Sequence, residues 1–160
     1  MSNKYEESNN KYNYDLYLSY NVSQKRNVQE ICKLFKNSKL KVWLAKEEDQ
    51  FDDNLNALQS SLIFVCFPCK EYQKCIKNRI EYSIAKEQGM KIINFYFHDQ
   101  YTHSKNGTTD SMNIHIEQDL SNYSIELQLI VKNLKKEADL ISKTYKQSYK
   151  NTVNTWFKTI

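Results

Sequence analysis

The chain has 160 residues, 40% of them hydrophobic, enough for one domain with a packed core and too few for two of ordinary size. Its net charge of +4 is mild, and Lys is interspersed with Asp and Glu along most of the sequence, so composition makes no case for nucleic acid. With two glycines and one proline, the chain cannot build the glycine-rich loops that cradle phosphate in Walker-type and dinucleotide sites.

Residues 1–11 are polar and are expected to be disordered. They hold no apolar segment of the kind a secretory leader uses, and no run in the chain approaches the roughly 18 residues of a membrane span. A cytoplasmic location without membrane insertion is therefore expected, and Cys32, Cys66, Cys69 and Cys75 should stay reduced.

The first predicted element is a strand at 15–20, Asp-Leu-Tyr-Leu-Ser-Tyr, rich in aromatic and aliphatic residues. Ser23 can cap a helix whose Val28, Ile31, Cys32 and Phe35 fall on one face. A second strand at 40–44 leads through an acidic loop at 46–53 into a short helix carrying Leu55 and Leu58. The apolar run 62–67 reads as a buried third strand stopped by Pro68.

A helix beginning with the segment 72–82 and ended by Gly89 follows, with Ile76, Ile80 and Ile84 as its predicted buried stripe. Residues 92–97 form the fourth strand, 98–110 a polar loop, and 112–117 the fifth strand. The last helix can begin at Ser121 or Asn122. Along it Leu127, Val131, Leu134, Ala138, Ile141 and Tyr145 make a heptad-like seam that suits either a long packing helix or a partner.

Strand and helix alternate throughout, which implies a parallel sheet covered by helices on both faces, with ligands at the carboxyl ends of the strands. That edge carries Ser19, Tyr20, Asn21, the 45–53 loop and the start of the third helix. Cys66 and Cys69 lack a second pair at ligand spacing, and His98, His103 and His115 show no such spacing either, so no metal site is expected.

The chemistry rests on Glu81, the one acidic residue between 72 and 82. It lies about 100° from the centre of the isoleucine stripe, at a flank where a cleft can meet it. Lys77, four residues earlier, offers a plainer role: an exposed pair worth about 0.2–0.5 kcal/mol.

These residues resemble the TIR domain family over about 12–137. The first strand ending in Ser19-Tyr20, the Val42-Trp43 pair, the passage from Ala57 to Val65, and the segment from Tyr72 to Glu81 stand in the family's order. That last segment resembles Tyr-x-x-Ser-x-x-Cys-Arg-x-Glu, with Cys75 for Ser, Asn78 for Cys, and Arg79 and Glu81 retained. Lys77 stands where active members often carry Trp, Ala45 where they carry an acid, and Asn21 where they carry Arg.

The resemblance implies a flavodoxin-like α/β fold with five parallel strands in the order 2-1-3-4-5, and a Lys-rich helical extension at 138–160. For some members it implies cleavage of NAD⁺ to nicotinamide and ADP-ribose or a cyclic isomer, with Glu81 as the catalytic residue and no bound cofactor. Ser19, Tyr20, Asn21, Trp43, Lys46 and Lys77 are then the substrate-contact candidates, with Tyr20 and Trp43 placed to stack on rings. Partners would be copies of itself or other TIR domains, met through Glu47, Glu48, Asp49, Phe51 and Asp52. The alternatives are a non-catalytic TIR scaffold and, more remotely, a receiver- or flavodoxin-like domain. The first of these remote forms lacks an acceptor aspartate at Phe67-Pro68-Cys69, and the second lacks a flavin-phosphate loop after the first strand.

Overall fold

A computed structural model describes residues 12–47, 50–97, 111–116 and 125–158. Five strands, β1 (Tyr14–Ser19), β2 (Val42–Leu44), β3 (Ser61–Cys66), β4 (Lys91–Phe97) and β5 (Ser111–Ile116), form one sheet in the order β2-β1-β3-β4-β5. All four pairings are parallel, as the strand–helix alternation predicts. The register sets Leu16 beside Val42 and Ile63, and Val65 beside Ile93, so the central strands are buried on both faces. Near-continuous apolar runs are what such strands require.

One face is covered by α1 (Lys25–Asn37) and α5 (Ile125–Lys158). There Leu16, Leu18, Val65, Phe67 and Phe95 pack with Val28, Phe35, Leu127 and Val131. The other face carries α2 (Phe51–Gln59), a short α3 (Lys70–Lys74) and α4 (Ile76–Glu87). There Tyr17, Phe64 and Cys66 meet Ala57, Leu58, Tyr72 and Ala85. Helix α5 passes residues 137–138 without a break, and Leu127, Val131, Leu134 and Ala138 are its buried stripe.

Several elements differ from the sequence expectation. The segment 72–82 is two helices, because the extended backbone of Cys75 (φ −77°, ψ 120°) ends α3 and begins α4. Most of the isoleucine stripe is not buried: Ile76 is 71% and Ile80 40% exposed, Ile84 is half-buried against the core, and the fully buried face consists of Asn78, Glu81 and Ala85. Polar groups win that face because the sheet beneath offers them hydrogen-bond partners, as described below.

Asn21, not Ser23, supplies the cap after β1: its Oδ1 accepts from Ser23 N at 3.0 Å and opens a 3₁₀ turn over 22–24. Phe51, Asp52 and Asp53 lie in the first turn of α2 rather than in a loop. Gly89 ends α4 at φ +67°, a conformation L side chains rarely adopt, with Met90 N bonded to Ala85 O at 3.0 Å. The 98–110 loop, the start of the last helix at 121–122, Glu48 and Asp49 lie outside the described residues.

Candidate functional site

The carboxyl edge of the sheet is where β1 ends at Ser19 and β2 at Leu44, and α4 starts directly above them. Residues after β1 (Tyr20, Asn21, Val22), after β2 (Ala45, Lys46, Glu47) and at the start of α4 (Cys75, Lys77, Asn78) line a cavity of about 500 Å³. This is the position at which open α/β sheets bind ligands. A larger cavity, about 720 Å³, lies at the opposite edge, where Lys91 Nζ pairs with Glu137 Oε1 at 2.6 Å. That pair is about one-third exposed.

Under the first cavity, Glu81 is fully buried, at 0% exposure. Tyr17 Oη donates to its Oε2 at 2.6 Å, a short bond of the kind a charged acceptor draws. Lys77 Nζ lies 2.9 Å from Oε1, with only 11% of its side chain exposed. This contact is an ion pair by distance without hydrogen-bond alignment, because Oε1 has no aligned donor among the described residues. Burial, the Glu81 charge and the bond to Glu81 all push the Tyr17 phenol far above its ordinary range, so it remains a donor.

A second network lies beside the first. Ser19 Oγ and Tyr72 Oη share a hydrogen bond of 2.8 Å, and Asn78 Nδ2 donates to Tyr20 O at 3.0 Å and reaches Ser19 Oγ at 3.5 Å. Burial raises the Tyr72 phenol well above its usual value. Asn54 holds the β2 side of the cavity: its Oδ1 accepts from Lys46 N at 2.8 Å and Trp43 Nε1 at 3.1 Å, while its Nδ2 donates to Lys46 O at 2.9 Å. Lys25 pairs with Glu47 at 3.3 Å on the rim.

Of the residues singled out from the sequence, Tyr20, Asn21, Lys46, Lys77 and Glu47 line the cavity. Ser19 and Glu81 do not line it; both are fully buried and each contacts a lining residue, Ser19 through Asn78 and Glu81 through Lys77. The pairing of Lys77 with Glu81 is thus a buried contact, not the exposed helix pair that spacing alone allows. Trp43 is not among the lining residues; it packs edge-on to Tyr14, centroids 5.4 Å apart, with Lys46 Nζ 4.9 Å from its ring centre. Phe51 and Asp52 do not line it either.

Sequence reasoning did not single out Asn78 or Cys75 as lining residues, nor Tyr17 and Tyr72 as supports. Their signal was available: residues 78, 81, 82 and 85 repeat at helical spacing opposite a strand that carries Tyr17 and Ser19. Cys69, half of the Cys66–Cys69 pair, caps α3 by accepting from Tyr72 N at 3.3 Å.

Among solved structures, the chain is similar to the TIR domain of the Toll-related receptor TRR-2 from Hydra magnipapillata, with a TM-score of 0.56 and 10% identity, over 79% of this chain and 98% of that one. It is also similar to the CMP N-glycosidase BcmB of Clostridium botulinum, with a TM-score of 0.47 and 18% identity, over 76% and 98%. No protein-family model matches the sequence. No curated protein matches it. The chain therefore has a TIR-like fold.

Proposed function

We propose that this chain is a TIR-fold module that breaks the N-glycosidic bond of NAD⁺ at Glu81, with self-association as the step that readies the site. The observation that carries the reading is a fully buried carboxylate directly behind a cavity wall, held by one tyrosine and one lysine. Burying such a charge costs several kcal/mol before its partners offset it, and groups kept at that cost concentrate at functional sites.

The chemistry needs one carboxylate. Nicotinamide in NAD⁺ is already a cationic leaving group, so the C1′–N bond can break with its electron pair going to the ring and no proton being delivered. Positive charge then develops at C1′ of the ribose, where a fixed carboxylate stabilises it until water adds through its oxygen and releases a proton to solvent. Tyr17 orients the carboxylate through Oε2 and leaves Oε1 to face the reacting carbon once Lys77 Nζ has swung away. Lys77 is thus a built-in cation that the cationic substrate must replace.

A non-catalytic scaffold is the second reading, favoured by that same lysine covering Glu81 and by two large exposed apolar side chains at the cavity, Val22 in its lining and Ile76 between the lining residues Cys75 and Lys77. The two readings separate on nicotinamide release from NAD⁺, followed over a range of protein concentrations and under crowding. Release that rises faster than protein concentration supports the enzyme; none under any condition leaves the scaffold.

A further inference from the structure

We propose that Asn78 Oδ1 is the acceptor that reads a pentose hydroxyl of the bound ligand, making Asn78 a specificity-determining residue of the cavity. The inference rests on the glycosidic reading of the site.

Asn78 is 1% exposed, yet it forms part of the cavity wall. Its orientation is fixed: Nδ2 donates to Tyr20 O and reaches Ser19 Oγ, and turning the amide over would set two carbonyl oxygens against each other. The same network leaves Oδ1 with no hydrogen-bond partner among the described residues. Buried carbonyl oxygens in native proteins are nearly always matched by a donor, so this orphan, on a residue of the cavity wall but itself with almost no accessible surface, is the acceptor a ligand hydroxyl meets once Lys77 has moved aside.

The chemistry of the neighbours says which kind of donor. An anionic group would meet the Asn78 carbonyl dipole head-on, with the Glu81 carboxylate a turn further along α4, whereas a neutral hydroxyl can donate to Oδ1 without a charge conflict. Asn78 and Glu81 are three residues apart on one helix face, so their Cβ atoms lie about 5–6 Å apart. When Glu81 faces the anomeric carbon of a ribosyl group, Asn78 is within reach of a hydroxyl on that same ring. In the TIR pattern resembled by this segment, Asn78 replaces Cys, a poor acceptor.

The test is equilibrium binding of nicotinamide riboside and its 2′-deoxy and 3′-deoxy analogues to the whole chain, measured by calorimetry. The wild-type protein is expected to bind one deoxy analogue about tenfold more weakly than the riboside, the loss typical of one hydrogen bond to a buried acceptor. Asn78→Ala is expected to bind all three alike. Equal binding of the three by the wild type, discrimination that persists in Asn78→Ala, or no binding of any of them would each overturn the proposal.

If Asn78→Ala does not fold, the wild-type comparison of the three ligands decides alone. Discrimination without nicotinamide release from NAD⁺ would uphold this inference and end the glycosidic reading. Release without discrimination would end the inference alone.

Discussion

On the α1/α5 side of the sheet, β1, β3 and β4 present Leu16, Leu18, Ile63, Val65, Ile93 and Phe95, and the helices answer with Val28, Ile31, Phe35, Leu127 and Leu134. On the α2/α4 side, alternate residues of the same strands present Tyr17, Ser19, Cys66 and Asn94, all buried and all hydrogen-bonded. Alternation along a strand puts these two sets on opposite faces. The first side gains its stability from apolar area and packing. The second gains much of its order from directed bonds that end on Glu81, Asn78 and Asn54, and the cavity opens only where those bonds reach the sheet's carboxyl edge.

The sharpest way to break this contrast is to cut one partner from each side. Lys77→Met strands the buried Glu81 carboxylate and should cost about 3–5 kcal/mol of unfolding free energy. Phe95→Ala, on the apolar side, should cost a similar 3–5 kcal/mol through the cavity it leaves. The difference lies in rescue: adding Glu81→Leu to Lys77→Met should recover most of the loss, because no charge then remains buried. Urea denaturation of the single and double variants measures both effects, and a double variant no better than Lys77→Met would contradict the buried ion pair.

Tyr17→Phe removes the 2.6 Å bond to Glu81 and keeps the ring stacked on Phe64, so its expected cost is about 1.5–3 kcal/mol, the range for bonds to charged groups. A loss within experimental error would mean that the phenol is not holding the carboxylate.

Alkaline pH probes the polar side as a whole. Burial raises the Tyr17 and Tyr72 phenols above their ordinary value of 10.0, and the Cys66 thiol above 9.0. Below pH 9 both folded and unfolded chains keep these protons and the stability is intact. Above it the unfolded chain releases protons that the folded one retains, first from Cys66 and beyond pH 10 from the phenols. Stability should then fall by up to about 1.4 kcal/mol per pH unit for each such group. A stability curve flat from pH 8 to 11 would contradict the burial of these groups.

The smallest expected effect belongs to the outward face of α4. Ile76→Lys should change stability by no more than about 0.5 kcal/mol, since that residue is 71% exposed. A large loss in dilute protein would mean that Ile76 is packed against something.

That last prediction bears on how far the fold was legible in the sequence. The strands were readable because a parallel sheet buried on both faces needs apolar runs, and 62–67 and 92–97 are such runs. The strand order followed from strand–helix alternation together with the TIR resemblance. Helix α4 is only partly legible: hydrophobic periodicity turns Ile76, Ile80 and Ile84 inward, whereas only Ile84 packs against the core and the fully buried positions belong to Asn78, Glu81 and Ala85. Periodicity counts apolar residues and is blind to polar ones whose partners lie far along the chain, such as Tyr17, 64 residues from Glu81.

The candidate site was legible in its corner residues, Tyr20, Lys46, Lys77 and Glu81, and not in its depth. The spacing of Lys77 and Glu81 marks them as a pair on α4, but that the pair is buried depends on which face of α4 meets the sheet, and local periodicity assigned that face to the isoleucines. Asn78 is not legible as a binding residue, because an asparagine in a helix carries no motif and only the fold leaves its carbonyl unpartnered.

The most direct measurement compares nicotinamide release from NAD⁺ by the wild-type protein and by Glu81→Gln at equal concentration, with unfolding curves for both. Glutamine keeps the shape and an acceptor for Tyr17 but removes the charge. Release by the wild type that falls at least about a hundredfold in a folded Glu81→Gln protein is the predicted result, in line with the loss of a group that stabilises transition-state charge. Release at the wild-type rate from the variant would contradict a catalytic Glu81.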